Sequence, residues 1–269
     1  MTIIRSTDRD SYRTDEGSGR FYWWQGEGPF ISVTNAIKLG IPSPYIAPWY
    51  AKVVAEHVDK YWDIEGDIRA SCREAGAPEA FVKSLKALPV ETRDAAGEFG
   101  TQVHDICESI MLRDPSGGTL TGDDMKIIQR VRQFIDFEKV MKPEYIAVEG
   151  IVFNREYGYA GAFDILCDLP GHGRVIIDIK TGKGVYGSAA IQQTAYRHGE
   201  FIAVGTDEVP MIETDGAMVL HLQATQWRLL PVETGEQSWS VFKSALHTAK
   251  WIIEHEAEAV GKPLVKGKG

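Results

Sequence analysis

Cysteine is scarce in this sequence: Cys72, Cys107 and Cys167 lie far apart, are odd in number and form no CxxC pair. A disulfide framework uses paired cysteines, and a closed zinc or iron–sulfur site needs clustered thiolates, so neither is expected. Long apolar runs are missing as well. No window approaches the roughly 18 consecutive apolar residues of a membrane span. The opening stretch MTIIRSTDRDSYRTDEGSG carries charges where a signal peptide needs an apolar segment. The expectation is a chain without membrane association that stays in the cytoplasm. Positive charge is in deficit, with 29 Lys+Arg against 38 Asp+Glu and a formal net charge of −9. Taken alone, that balance argues against a nucleic-acid partner. Internal repeats, low-complexity tracts and an ATP-binding GxxxxGK[ST] loop are also absent, which excludes repeat arrays and a P-loop motor.

What remains is ordinary globular composition, 43% hydrophobic and 25% charged over 269 residues, enough for one large domain or two small ones. Residues 1–20 are polar and read as a flexible tail. Residues 21–93 read as a small, mostly helical N-terminal module. In it, Phe21–Gln25 and Phe30–Thr34 have strand composition around a Gly26–Pro29 turn, and prolines at 42, 44 and 48 lead into the helical spacing of YAKVVAEHVDKYW. Trp23 and Trp24 read as core of that module rather than as a base-stacking platform. Short helical segments follow over 64–88.

A core over 94–262 is more regular. The spacing predicts a helix over 94–113 and, after the PSGGTLTGDD loop, a second with Met125, Ile128, Val131 and Ile135 on one stripe. Strands follow at Tyr145–Phe153, Tyr159–Asp168 and Arg174–Lys180, then a helix from an N-cap at Ser188 to about Val204. Strands at Ala217–Gln223 and Thr225–Leu230, ended by Pro231, precede a helix from Gln237 to about Val260 and a basic tail over 263–269. This order describes an α/β fold, a mixed central sheet flanked by helices.

The central strands carry charges where a buried sheet should not. In Arg174–Lys180, alternation puts Asp178 and Lys180 on one face among Val175, Ile176, Ile177 and Ile179. If the Pro170–Gly173 connection is a hairpin centred on Gly171, Asp164 lies directly across from Asp178, and opposed Cβ atoms stand about 4.5–5.5 Å apart. Two carboxylates that close need a cation or a proton between them. All-oxygen coordination of that kind suits magnesium or manganese. His104 on the preceding helix, and Gln192 with Tyr196 one helical turn apart, could reach the same point. A lysine beside such an ion can orient a nucleophile or neutralise a pentavalent phosphate, which points to metal-assisted phosphodiester hydrolysis.

The series Gly100-Thr101-Gln102-Val103-His104, Gly161-Ala162-Phe163-Asp164, Asp178-Ile179-Lys180-Thr181-Gly182-Lys183 and Gln192-Gln193-Thr194-Ala195-Tyr196 resembles the motifs of the RecB-like branch of the PD-(D/E)xK nuclease superfamily. That branch includes recombination-helicase nuclease domains, CRISPR-associated adaptation nucleases and phage exonucleases. The resemblance covers about residues 94–260 and implies a restriction-endonuclease-like core. It implies that His104, Asp164, Asp178 and the Ile179 carbonyl ligate Mg²⁺ or Mn²⁺, and that Asp164, Asp178 and Lys180 are catalytic. Gln192 and Tyr196 would help hold DNA, with Glu149 and Lys183 in supporting roles. The three scattered cysteines depart from the four of the CRISPR-associated members, so no iron–sulfur cluster is expected.

Ser32-Val33-Thr34-Asn35 and Pro48-Trp49 are similar to the opening of phage-encoded members. The resemblance thus implies a metal-dependent exonuclease acting at single- or double-stranded DNA ends in recombination, replication or repair. It would be phage or mobile-element encoded and work in the host cytoplasm, with a recombination partner protein as a further expected contact. The alternatives are a structure- or sequence-specific endonuclease with the same chemistry, or a non-catalytic DNA-end-binding recombination partner. With net charge −9, DNA contact is expected to rely on the bound cation and on local positive groups, with Lys180, Lys183, Arg155 and Arg197 as candidates.

Overall fold

The computed structural model of the chain describes residues 3–6, 13–16, 19–114 and 124–264. Most of the expected 115–124 loop, residues 265–269 of the basic tail and much of the expected N-terminal tail lie outside the described residues. The fold is α/β, with a mixed central sheet flanked by helices. Residues 1–41 with 103–269 form one compact unit and residues 42–102 another.

In the larger unit the chain begins with four short strands, β1 (Ile4–Arg5), β2 (Arg13–Glu16), β3 (Gly19–Trp24) and β4 (Glu27–Ser32), then helix α1 (Val33–Gly40). Residues expected to be a flexible tail and a separate module are thus strands of the main sheet. β4 runs parallel to a central strand, pairing Ile31 with Tyr159 and Ser32 with Ala160. The apolar residues of the hairpin could not be assigned to a distant sheet from local pattern alone. Trp24 is buried against Phe153 and Phe201, whereas Trp23 is 37% exposed. The expected strand through Thr34 ends at Ser32, because the Ser32 hydroxyl accepts the Asn35 N–H at 3.1 Å and caps α1. Replacing Ser32 with Ala should cost about 1 kcal/mol of stability, measurable by urea unfolding.

The smaller unit is helical: α2 (Ile46–Lys60), α3 (Trp62–Glu74) and the first part of α4 (Pro78–Leu112). The expected helix start at 94 is too late. Pro78 takes the first helical position, where its fixed φ is favourable, and the helix continues through Pro89 at the expense of one interior hydrogen bond.

After α5 (Met125–Met141) come β5 (Glu144–Asn154), β6 (Tyr159–Leu169), β7 (Gly173–Lys180), α6 (Ser188–Arg197), β8 (Phe201–Val204), β9 (Asp207–Pro210), β10 (Gly216–Leu222), β11 (Trp227–Val232) and α7 (Glu236–His255). α5 buries Ile127, Val131, Phe134 and Phe137, so its core stripe is rotated from the expected one, and Met125 and Ile135 are exposed. α6 starts one residue after its N-cap, Gly187, and stops at Arg197 rather than continuing to Val204. Gly199 comes so close to Val152 that an added Cβ would lie 2.9 Å from the valine Cβ, and the chain then forms the β8–β9 hairpin. Pro231 lies inside β11 rather than ending it. Among the described residues β11 is an edge strand, paired only with β10, where a missing N–H is tolerated. α7 ends at His255, short of the expected Val260.

Among the described residues the sheet has 11 strands, with a path β11-β10-β7-β6-β4-β3-β2; β5 adds to β6, β1 and β8 add to β5, and β9 adds to β8. β6 is the hinge of this arrangement. β5 covers one of its edges antiparallel. On the other edge, β7 pairs with Ile165–Leu169 and β4 with Tyr159 and Ala160. Between those two stretches the neighbours part, and the candidate site lies there.

Candidate metal centre

The β6–β7 hairpin has the expected register. Leu169 pairs with Gly173 and Ile165 with Ile177, around a turn in which Gly171 and Gly173 take φ of +79° and +75°. Glycine adopts those angles without a Cβ penalty. Arg174 donates to Asp168 at 2.8 and 3.0 Å across the base of the turn. Asp164 and Asp178 occupy the next opposed positions. There the ladder gives way to a side chain: Asp164 Oδ2 accepts the Ile179 N–H at 2.6 Å.

On the other edge of β6, the pairs Val148–Ile165 and Gly150–Phe163 bracket Glu149 opposite Asp164. Glu149, Asp164 and Asp178 thus stand at one level on three neighbouring strands. Glu149 has φ of +51°, a left-handed conformation that is costly for a non-glycine residue within a strand. Gly150 beside it is obligatory, since an added Cβ would lie 2.3 Å from the Phe163 ring.

α4 brings His104 to the same level. The ligand atoms of His104, Glu149 and Asp164 lie within 4.8 Å of one another. His104 Nδ1 is 3.5 Å from Asp164 Oδ1, and Nε2 is 2.9 Å from the Ile179 carbonyl. His104, Asp164 and the Ile179 carbonyl therefore gather as expected, and Glu149 joins them. Asp178 faces Lys180, whose ammonium lies 2.9 Å from Oδ1 and 2.8 Å from Oδ2. Although this close, Oδ2 accepts no hydrogen bond of proper geometry and is buried. Lys180 also reaches Gln192 Oε1 at 3.4 Å, and Gln192 donates to the Tyr196 hydroxyl at 2.7 Å.

The electrostatics follow from this packing. Burial opposes a charge on His104, but Asp164, with Glu149 and Asp178 behind it, outweighs that and raises its pKa to about 9. Burial likewise opposes the charge on Asp164, yet His104, Lys180 and the Ile179 N–H hold its carboxyl below the ordinary range. Asp178 is pushed up, by burial first and by Asp164, against the pull of Lys180. The Lys180 ammonium is held above its ordinary value because Asp178 and Asp164 overcome its burial. His104 and Lys180 thus stand against converging carboxylates.

Tyr196 explains the glycine of the GAFD segment: its Cε1 lies 2.6 Å from where a Cβ of Gly161 would stand. The ring is buried on the strand backbone, which directs the hydroxyl to Gln192. Lys183 is exposed in the segment after β7. Arg155 and Arg197 are committed elsewhere, contrary to expectation. Arg155 is ion-paired with Glu27 at 2.7 Å and Glu208 at 2.6 Å. Arg197 binds the Thr214 hydroxyl and carbonyl and the Thr234 hydroxyl.

One residue escaped the sequence reading. His221 pairs with Lys180 across the parallel β7–β10 ladder and is fully buried. Its Nε2 lies 2.8 Å from the Gly182 carbonyl, and Arg228 Nη2 lies 3.1 Å from its Nδ1. A guanidinium only donates, so Nδ1 accepts and Nε2–H donates to Gly182, pinning the turn after Lys180. Parallel pairing is non-local, and no spacing in the sequence announces it.

His104, Glu149 and Asp164 form a set that could hold a metal ion, with the Ile179 carbonyl beside His104 as a further oxygen and Asp178 already ion-paired with Lys180. No protein-family model and no curated protein matches the chain. Among solved structures it is similar to one described as the crystal structure of SSO0001, at 11% identity and a TM-score of 0.29, covering 56% of this chain and 73% of that one. A likeness this low carries no argument.

Proposed function

We propose that the chain is a divalent-metal-dependent deoxyribonuclease, an exonuclease hydrolysing phosphodiester bonds at DNA ends. One observation carries the reading: Glu149, Asp164 and Asp178 share a level on adjacent strands, with His104 beside them and Lys180 against Asp178. His104, Glu149, Asp164 and the Ile179 carbonyl would hold the ion, with Asp178 adjoining. When bound, such an ion supplies charge neutralisation at a phosphoryl oxygen and makes a neighbouring water more acidic. Lys180 has three donors, of which Asp178 and Gln192 engage part, and it orients the attacking water and offsets charge developing on the phosphate. Gln192 and Tyr196 fix where that ammonium sits.

The test is digestion of 5′- and 3′-labelled single- and double-stranded DNA, and of a covalently closed circle, with Mg²⁺, Mn²⁺ or EDTA. Linear substrates should shorten with either metal, leaving 5′-phosphate and 3′-hydroxyl products, while the circle and the EDTA samples stay intact. Cleavage that persists at the wild-type rate in an Asp164→Asn variant, or that needs no metal, would sink the proposal.

A further inference from the structure

The left-handed turn that presents Glu149 lies at a seam in the sheet. The outer edge of β5 is served by two short strands in tandem. β1 runs parallel to it, pairing Ile4 with Ala147 and Arg5 with Val148. β8 runs antiparallel, starting at the Ile151–Ala203 pair. Glu149 and Gly150 fall in the gap between them. The next residue of the N-terminal segment, Ser6, spans that gap: its hydroxyl accepts the Ile151 N–H at 2.8 Å and donates to the Ala203 carbonyl at 2.5 Å. Ser6 is 2% exposed, so water does not compete for these bonds. Its neighbour Arg5 pairs with Glu108 at 2.5 Å, a buried carboxylate one helical turn past His104 on α4. Two consecutive residues thus tie together the strand that carries Glu149 and the helix that carries His104.

We infer that Ser6 is a positioning residue of the metal centre, holding the Glu149 turn in its left-handed form, with Arg5 anchoring the same segment to α4. This rests on the metal-centre reading above. A non-glycine residue at φ +51° persists only where its surroundings over-determine it. Within the strand, the two bonds of Ser6 supply that constraint on the C-terminal side of the turn, and the β1 pairing supplies it on the other side. Released, the backbone would relax toward extended geometry and carry the carboxylate away from His104 and Asp164. The ligands would remain but no longer converge.

The experiment is Mn²⁺ titration of the full chain by electron paramagnetic resonance, which needs no DNA and no turnover. Ser6→Ala should bind Mn²⁺ about tenfold more weakly than wild type, as loss of a residue that orients a ligand usually does. Ser6→Cys, which keeps the shape with a weaker donor and acceptor, should fall between and serves as the deciding variant if Ser6→Ala does not fold. In a Glu149→Gln background the Ser6→Ala effect should shrink to within about twofold, because the group it positions is already disabled. Wild-type affinity in the Ser6 variants would overturn the inference and leave the metal centre standing. So would a weakening that persists in the Glu149→Gln background, since that marks general loosening. Absence of Mn²⁺ binding by the wild-type chain would overturn the metal centre and this inference together.

Discussion

Replacement of Lys180 by Met should lower metal-dependent cleavage of end-labelled DNA by about a hundred- to a thousandfold, measured under single-turnover conditions at saturating Mg²⁺. The methionine keeps the length and apolar stem of the lysine and removes only the charged donor. That donor lies within 3 Å of both Asp178 oxygens, at 2.9 and 2.8 Å, and is steadied by Gln192. Mn²⁺ binding should survive, because His104, Glu149, Asp164 and the Ile179 carbonyl are untouched. The variant leaves Asp178 buried without its counter-ion, so thermal stability must be recorded beside the rate. Pairing the change with Asp178→Asn tests the same point: the double variant should recover stability without recovering cleavage. A rate within tenfold of wild type in the single variant would remove Lys180 from the chemistry.

Phe153→Ala should cost about 3–5 kcal/mol in urea unfolding, the usual penalty for emptying a large buried aromatic site. Phe153 is fully buried. It stacks on Phe201 at 5.4 Å, meets Phe30 edge-on at 5.3 Å, and contacts Trp24 at 5.7 Å and Tyr22 at 6.2 Å. Tyr22, Trp24 and Phe30 come from the N-terminal hairpin, whereas Phe153 and Phe201 belong to β5 and β8. Loss of this ring therefore weakens the join between the first strands and the rest of the sheet. Trp23→Ala, at a 37% exposed position of the same N-terminal hairpin, should cost less than about 1 kcal/mol. Equal costs at the two positions would show that the hairpin does not share this core.

The legible part of the site is the part built locally. Gly171 and Gly173 set a tight turn, so the register of β6 against β7 could be counted outward from it to Asp164 and Asp178. Alternation along Arg174–Lys180 put Asp178 and Lys180 on one face for the same reason, and helical spacing joined Gln192 to Tyr196. Glu149 was visible only as an acidic residue on the preceding strand. Its opposition to Asp164 depends on a register shift between Tyr145 and Ala147 and on a positive φ, neither of which local pattern encodes.

The deficit of positive charge shows the same division. Composition alone determined that the chain has 29 basic side chains to set against 38 acidic ones, and that few cysteines are available for any cluster. Local spacing determined the central hairpin and the helices that face it. The tertiary structure decided which charges meet: Arg155 and Arg197 are consumed in contacts of their own, while His104 and Lys180 are left among the carboxylates. It also decided that residues resembling a loose tail, Arg5 and Ser6, become part of the sheet beside Glu149. The physical reason is that spacing along the chain governs turns, helices and hairpins, whereas strand pairing and ion pairing between distant segments depend on which partners the completed sheet brings within reach.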